Sequence, residues 1–357
     1  MEKAKQVVVN GRFLVQRVTG INRFAVELCR ALKKIFPELI VVIPEWLDYD
    51  HHFDLNIVRF GKLKSHFWEQ IDLLVFLKKA GGHPLLINFS GLGPLLYRNQ
   101  IMTIHDLSFM RHPEWFSWSY NLLYKFLTPI LAQRCRHIFT VSNFSKDEII
   151  ELLKVNSSKI TVVYNAVSDH VSMDAADLTP PEKPYILMVS SLDPRKNHER
   201  IFAAFNRGGF RGYELKVIGK TAPNFRNAVQ ASRHRDIFFC GYVSDRELAT
   251  LYANASLFIY PSLYEGFGIP PLEAMKNGCP TVVSDIPSLR EVCGNSTLYV
   301  DPYSIDEIIT KMKKVLQDEV LRQSLIKAGY ERVKRFNWTL SAKKVEKVIG
   351  MLTKLDR

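Results

Sequence analysis

Two doubly wound α/β domains are the architecture this sequence predicts, and three observations predict it. Short Val/Ile/Leu-rich runs alternate with amphipathic stretches along the whole chain. The rhythm breaks once, near residue 170, and restarts after residue 182. At 357 residues, with 47% hydrophobic and 24% charged side chains, the chain is long enough to bury two ordinary cores. Near-continuous apolar strands are buried on both faces, which is the habit of parallel sheets covered by helices.

In the first half the strands are read at QVVVN (6–10), LIVVI (39–43), LLINFS (85–90), IMTIH (101–105), HIFTVS (137–142) and ITVVYN (160–165). Amphipathic stretches 21–35 and 143–154 supply covering helices. The second half repeats the pattern with YILMVS (185–190), ELKVIG (214–219), IFFCGY (237–242), SLFIYPS (256–262) and TVVSD (281–285). Between them SDHVSMDAADLTPPEKP (168–184) is polar, Pro-bearing and aperiodic, which reads as a linker. The expected domains are therefore 1–168 and 185–338, joined by 169–184, with an amphipathic helix over about 339–357 expected to pack back on the first. Two such domains would leave a cleft, and ligands of these sheets bind at the carboxyl ends of the strands.

Composition narrows the partners. No apolar run reaches the ~18–20 residues of a membrane span, and MEKAKQVVVNGRF is charged where a secretory signal is not. Five scattered cysteines without a CxxC pair argue against a disulfide framework or structural zinc and for a reducing cytoplasm. Net charge is +12, and it divides evenly, +6 over residues 1–170 and +6 beyond. Nucleic acid, an anionic membrane face or a phosphate-bearing small molecule all suit that sign. The absence of a localised basic patch or a nucleic-acid module makes nucleic acid the poor choice.

The densest chemical signal is YPSLYEGFGIPPLEAMKNGCPTVVSD (260–285). Pro270 and Pro271 suit the first turn of a helix and Gly278 its stop, so the helix is expected over roughly 270–277. Glu265 and Glu273 are eight apart and would be about 80° out of phase on one helix. Glu265 is thus placed in a loop, Glu265-Gly266-Phe267-Gly268-Ile269, that feeds the helix, and Glu273 one turn inside it. A glycine-bearing loop at a helix N-terminus is a ready phosphate site, and Glu273 would accept from a ribose diol. For a lone E-x7-E an ordinary strand–loop–helix turn with a surface capping Glu is the better account; the surrounding glycines and prolines shift the weight toward the ligand site.

The sequence resembles the retaining glycosyltransferases of family four, which have the GT-B fold. The resemblance runs over nearly the whole chain through TGINRFAVEL (19–28), IHD with LSFMRHPEWF (104–116), TVSNFSKDEI (140–149), VVYNAV (162–167), VSSLDPRKN (189–197), GYVSDREL (241–248) and the E-x7-E segment, in the family's order. It implies transfer of a sugar from a nucleotide-sugar to an acceptor hydroxyl, with retained configuration, no cofactor and no metal. It assigns Arg195 and Lys196 to the donor diphosphate, where fixed cations stabilise the leaving group. It places His105 near the reacting carbon, and Gly20 and Arg23 on a glycine loop facing the diphosphate. Tyr242 and Val243 fall where relatives contact the base, and Ser191 beside the phosphates. Glu265 would bind donor-sugar hydroxyls rather than attack the anomeric carbon, in a front-face displacement. Many relatives carry Gly-Arg where this chain has Ser190-Ser191, and Arg195 is the candidate replacement for that arginine.

The resemblance also favours GDP-mannose as donor, with a UDP-sugar as the alternative. The acceptor would be a glycan or lipid-linked saccharide in cell-surface polysaccharide or O-antigen assembly. A nucleotide-sugar epimerase of the same shape is the competing enzyme, distinguished by product formed from donor alone. Two further signals stand apart. Asp48-Tyr49-Asp50-His51-His52-Phe53-Asp54 follows a strand and has the residue types of a Mn²⁺ site, though a polar loop needs no metal. The stretches 63–79 and 116–127 are amphipathic and aromatic, so they dock on the sheet or lie on anionic lipid at the inner face of the cell membrane.

Overall fold

A computed structural model describes residues 6–15, 20–48, 54–169, 180–191, 193–219 and 235–354. The chain divides into two compact units, Met1–Asn165 with Asn337–Arg357, and Ala166–Phe336. Most of the stretch read as a linker, 170–179, lies outside the described residues.

The first unit is built on seven parallel strands, β1 Val7–Asn10, β2 Ile40–Ile43, β3 Ile57–Arg59, β4 Leu85–Asn88, β5 Gln100–Thr103, β6 His137–Thr140 and β7 Ile160–Val162. Their order is β3-β2-β1-β4-β5-β6-β7, so the winding reverses between β1 and β4. Four of these strands, β1, β4, β5 and β6, are buried along their full length, so their middles are apolar and polar residues stand only at their ends. On one flank Trp68, Leu73 and Leu77 pack on Val8, Val42 and Leu86; elsewhere Leu131, Ile149 and Leu153 pack with Met102 and Ile138. The helix Trp338–Lys354 completes this unit. Trp338 meets Phe24 edge-on at 6.0 Å, and Ser341 Oγ donates to the Tyr164 carbonyl at 2.7 Å.

The second unit carries β8 Tyr185–Val189, β9 Glu214–Ile218, β10 Ile237–Gly241, β11 Leu257–Tyr260, β12 Thr281–Ser284 and β13 Leu298–Val300, all parallel. Their order is β10-β9-β8-β11-β12-β13, with the reversal between β8 and β11.

Three departures from the sequence reading have plain causes. β3 and β13 were not expected; each is a three-residue edge strand, half-buried or exposed at most positions, so neither shows a full apolar run. The stretch 63–79 is helical but not one regular helix: Ser65–Phe67 and Leu73–Lys79 flank a π turn at Trp68–Asp72. The helix expected at 270–277 runs Ile269–Lys276, one residue earlier, with its prolines second and third.

Candidate functional site

Topology alone brings two loops of the second unit side by side. A doubly wound sheet binds ligands beyond the carboxyl ends of its strands, where the winding reverses. Here that place is between β8 and β11, so the segments after Val189 and after Tyr260 share it.

The first of these, Ser190 to Asn197, carries the cations. Asp193 accepts from the Arg195 amide at 3.0 Å and starts a 3-10 turn over Pro194–Lys196. Asn197 ends the turn in the left-handed conformation, φ 62°, which Asn tolerates. Its side-chain amide donates to the carbonyls of Pro261 at 3.0 Å and Pro302 at 2.7 Å, and the Leu263 amide donates to the Arg195 carbonyl at 2.7 Å. The cation turn is thereby pinned to the loop after β11. Gly219, at the end of β9, closes in from the other side; a Cβ there would sit 2.0 Å from the Ser190 carbonyl oxygen. Ser190 Oγ lies 3.0 Å from His198 Nε2, and burial followed by the Lys196 charge draws the His198 pKa down to about 4.

Lys196 is buried and its ammonium has two partners, Glu265 Oε1 at 2.5 Å and Tyr260 Oη at 2.9 Å. The Tyr260 hydroxyl in turn donates to Glu265 Oε1 at 2.7 Å. Burial works against the Glu265 carboxylate, but Lys196 and Arg195 outweigh it and hold the group below the usual carboxylate range. Burial and then Glu265 drive the Tyr260 phenol well up, so it stays protonated and can keep donating. A buried ion pair is costly to assemble and seldom stabilises a fold on net. Such a group at the winding reversal marks a candidate site.

Glu273 is also buried, on the helix Ile269–Lys276, where its Oε2 accepts from the Tyr252 hydroxyl at 3.0 Å. Gly266, Phe267 and Gly268 are buried in the intervening loop and Ile269 is half-buried. Arg195 is half-buried and bridges to Asp193 at 3.2 Å, and Ser191 is exposed. Tyr242, 71% exposed, and Val243 follow β10, two strands away from β8.

The remaining residues singled out from the sequence belong to the first unit. His105 follows β5, and its Nε2 donates to the Phe89 carbonyl at 2.9 Å, which leaves Nδ1 as the acceptor. Burial lowers its pKa, so the ring is neutral. Its neighbour Asp106 accepts from the Ser108 amide at 3.0 Å and hydroxyl at 2.6 Å, at the start of a short helix. Gly20 opens the helix Gly20–Lys33 and is exposed, with Arg23 half-buried one turn in. Of the 48–54 segment, residues 49–53 lie outside the described residues, and Asp54 pairs with Lys33 at 2.6 Å. No three His, Cys, Asp or Glu side chains gather as a metal site among the described residues. A cavity of about 760 Å³ is lined by Lys78, Arg98, Arg134 and Arg136; it lies toward the amino ends of β4, β5 and β6, opposite the edge where ligands are expected.

Sequence reasoning missed Tyr260, Tyr252 and the anchoring role of Asn197. Tyr260 had a signal: a hydroxyl-bearing residue at the carboxyl end of an otherwise apolar strand.

Comparison with known proteins agrees with the resemblance read from the motifs. Residues 18–171 match the family model Glycosyltransferase Family 4, and residues 172–332 match Glycosyl transferases group 1. O-antigen chain mannosyltransferase RfbU of Salmonella typhimurium is 30% identical over 317 residues, 83% of this chain and 87% of that protein. O-antigen chain mannosyltransferase B of Escherichia coli is 32% identical over 260 residues, 67% of this chain and 66% of that one. Among solved structures, sucrose-phosphate synthase from Thermosynechococcus elongatus superposes with a TM-score of 0.78 at 18% identity, covering 98% of this chain and 100% of the other. Anabaena Alr3699/HepE, solved in complex with UDP-glucose, gives 0.77 at 13% identity over 98% and 100%. At those identities the structures speak for the shared fold.

Proposed function

We propose that this chain, which belongs to the group 1 glycosyltransferases, moves a hexose from a nucleoside-diphosphate sugar to a saccharide hydroxyl with retention of configuration. Mannose from GDP-mannose is the favoured donor, and the product a cell-surface glycan of the O-antigen kind. The mannosyltransferase names of the relatives support that choice. The observation that carries the reading is the Lys196–Glu265–Tyr260 group beside Arg195, at the winding reversal of the second sheet.

In this reading Arg195 and Lys196 take up charge on the diphosphate as the bond from the anomeric carbon to phosphate oxygen breaks. Glu265 keeps Lys196 charged and aimed, and offers its second oxygen to a donor-sugar hydroxyl. Glu273 accepts from the ribose. Ser191 and the Gly266–Ile269 loop border the phosphates, and Tyr242 and Val243 the base. The departing phosphate oxygen takes the proton of the acceptor hydroxyl, whose oxygen bonds the anomeric carbon on the same face. The family resemblance assigns His105, Gly20 and Arg23 to the donor as well. With two cations at the phosphates, no metal or other cofactor is assigned.

Attachment to the inner face of an anionic membrane belongs to the same proposal. No helix among the described residues is long and apolar enough to cross a membrane. Trp118, Leu122 and Phe126 on the helix Trp118–Arg134 are 79%, 56% and 67% exposed, a suitable face for lying on lipid. Flotation with phosphatidylglycerol vesicles, absent with phosphatidylcholine alone, is the expected result; no lipid dependence removes this part.

Thermal shift against GDP, UDP, ADP and CMP tests the whole, because a nucleotide that binds only the folded state raises Tm. GDP is expected to give the largest shift, and GDP-mannose with a saccharide acceptor to give an α-linked product. A shift by UDP alone reassigns the donor, and no shift by any nucleotide overturns the proposal.

A further inference from the structure

The first sheet has its own winding reversal, between β1 and β4, and a buried polar network sits there that the donor site does not use. Asn10 ends β1 and Asn88 ends β4; the Asn10 amide donates to Asn88 Oδ1 and to Glu69 Oε1, each at 3.0 Å. Glu69 is fully buried, and its other oxygen accepts from Arg12 Nη1. Arg12 Nη1 also lies 2.9 Å from His66 Nδ1. The same ring nitrogen lies 3.2 Å from Glu69 Oε2, so His66 sits against both members of the ion pair.

The π turn makes this arrangement. Trp68 Nε1 donates to the Phe60 carbonyl at 2.8 Å, and Gln70 binds the loop after β4 through the Gly93 carbonyl at 2.7 Å and the Leu95 amide at 2.8 Å. With its neighbours pinned on both sides, Glu69 is forced inward, and the extra residue of a π turn is a common device at functional sites. That loop also gives way to Glu69. Gly91 has φ 77°, and a Cβ there would lie 2.8 Å from Glu69 Oε1. An aromatic wall stands beside the network, with Tyr124 edge-on to His66 at 6.2 Å and stacked on Tyr120 at 4.2 Å.

A fully buried carboxylate and two interior amides are an expensive way to hold one arginine. The arginine itself keeps 17% of its side chain exposed and His66 keeps 32%. The network therefore aims polar groups outward at the edge where this kind of sheet binds ligands. Within it the Glu69 carboxylate offsets the Arg12 guanidinium. Among the described residues of the network a phosphate finds only an arginine already paired with a carboxylate, whereas sugar hydroxyls find a fixed donor next to an aromatic surface. We propose that Arg12, His66 and Tyr124 form a site for the neutral acceptor saccharide, with Glu69 as the positioning residue that holds Arg12. This rests on the transferase reading above.

Saturation-transfer NMR on the full chain tests it, with methyl α-D-mannoside, α-D-glucoside, α-D-galactoside and N-acetylglucosaminide as probes and mannose 6-phosphate as the anionic comparison. At least one neutral glycoside is expected to contact the wild type more strongly than mannose 6-phosphate does. The contact should fall at least tenfold in His66→Ala and in Tyr124→Leu. Both variants should keep the wild-type nucleotide shift in Tm and the rate of donor hydrolysis without acceptor within about twofold, which also shows them folded. Tyr124→Phe should keep most of the contact. No neutral glycoside bound by the wild type, stronger binding of the phosphorylated sugar, or undiminished contact in both variants overturns the site. Failure of the transferase reading shows separately, as a wild type that no nucleotide shifts.

Discussion

Lys196 Nζ and Glu265 Oε1 lie 2.5 Å apart in the interior of the second unit, although 69 residues separate them in the chain. One rides on the turn after β8 and the other on the loop after β11. The ion pair therefore exists only when the two central strands of the sheet are side by side.

Lys196→Ala should lower turnover about 10²-fold or more and, by leaving Glu265 buried without a counter-charge, cost about 3–5 kcal/mol of stability. The double variant Lys196→Met with Glu265→Gln removes both charges and should recover much of the stability but none of the turnover. Steady-state kinetics with urea melts reads both quantities. A double variant with wild-type turnover would sink the assignment of these two residues.

Glu273→Gln is expected to reduce turnover about 10²-fold. Tyr252→Phe removes one hydrogen bond to a buried carboxylate and should cost about 1–2 kcal/mol, with a smaller kinetic loss. The comparison is made by calorimetric melting and by the KM for donor. Equal, wild-type-like kinetics in both variants would take Glu273 out of the site.

Acid should weaken the fold in a defined window. Burial, followed by nearby lysine charge, lowers the pKa of both His137 and His198 from 6.5 to about 4. Between those values the unfolded chain binds protons that the folded chain refuses, so stability rises with pH across the window and falls on acidification. Each imidazole contributes up to about 1.4 kcal/mol per pH unit there. Glu265, held low, contributes above its ordinary 4.5 and loses that contribution as pH falls through its folded value. Denaturation series from pH 7 to 4 should show the slope, and His137→Gln with His198→Asn should flatten it. An unchanged slope in that double variant would mean that other groups set it.

Gly219→Ala should disturb the donor site from outside it. The added methyl would meet the Ser190 backbone at 2.0 Å, so the strand end or the Ser190-Ser191 segment must move. Loss of the nucleotide-induced Tm shift, at least tenfold weaker binding, and a stability cost of about 1–3 kcal/mol are expected. A variant that binds nucleotide normally would show that the segment relaxes without consequence.

Fold and site were unequally legible in the sequence. Strands buried on both faces, such as Leu85–Asn88 and Thr281–Ser284, declare themselves as apolar runs; the edges Ile57–Arg59 and Leu298–Val300 do not, because solvent relaxes their composition. On the donor side, Glu265 and Glu273 stand out by the glycines and prolines around them, whereas Arg195 and Lys196 are singled out by the family resemblance. Tyr252 carries no mark of where its hydroxyl goes, and Tyr260 is marked only by its place at the carboxyl end of an apolar strand. Glu69 was the hardest. Within the stretch 63–79 it looks like one more solvated charge, and only the π turn, fixed by contacts at Phe60 and Gly93, turns it inward.

The helix Trp338–Lys354 packs beside the Gly20–Lys33 helix and reaches the backbone at Val162 and Tyr164, yet the ribosome makes it only after the whole of Ala166–Phe336. At about 5–20 residues per second, the first unit waits roughly 10–30 s for its last piece. During that interval the face around Phe24 has no cover, while the second unit has everything it needs to fold. The later-made half should thus mature first during biosynthesis, and chaperone demand should fall on the half that emerges earlier.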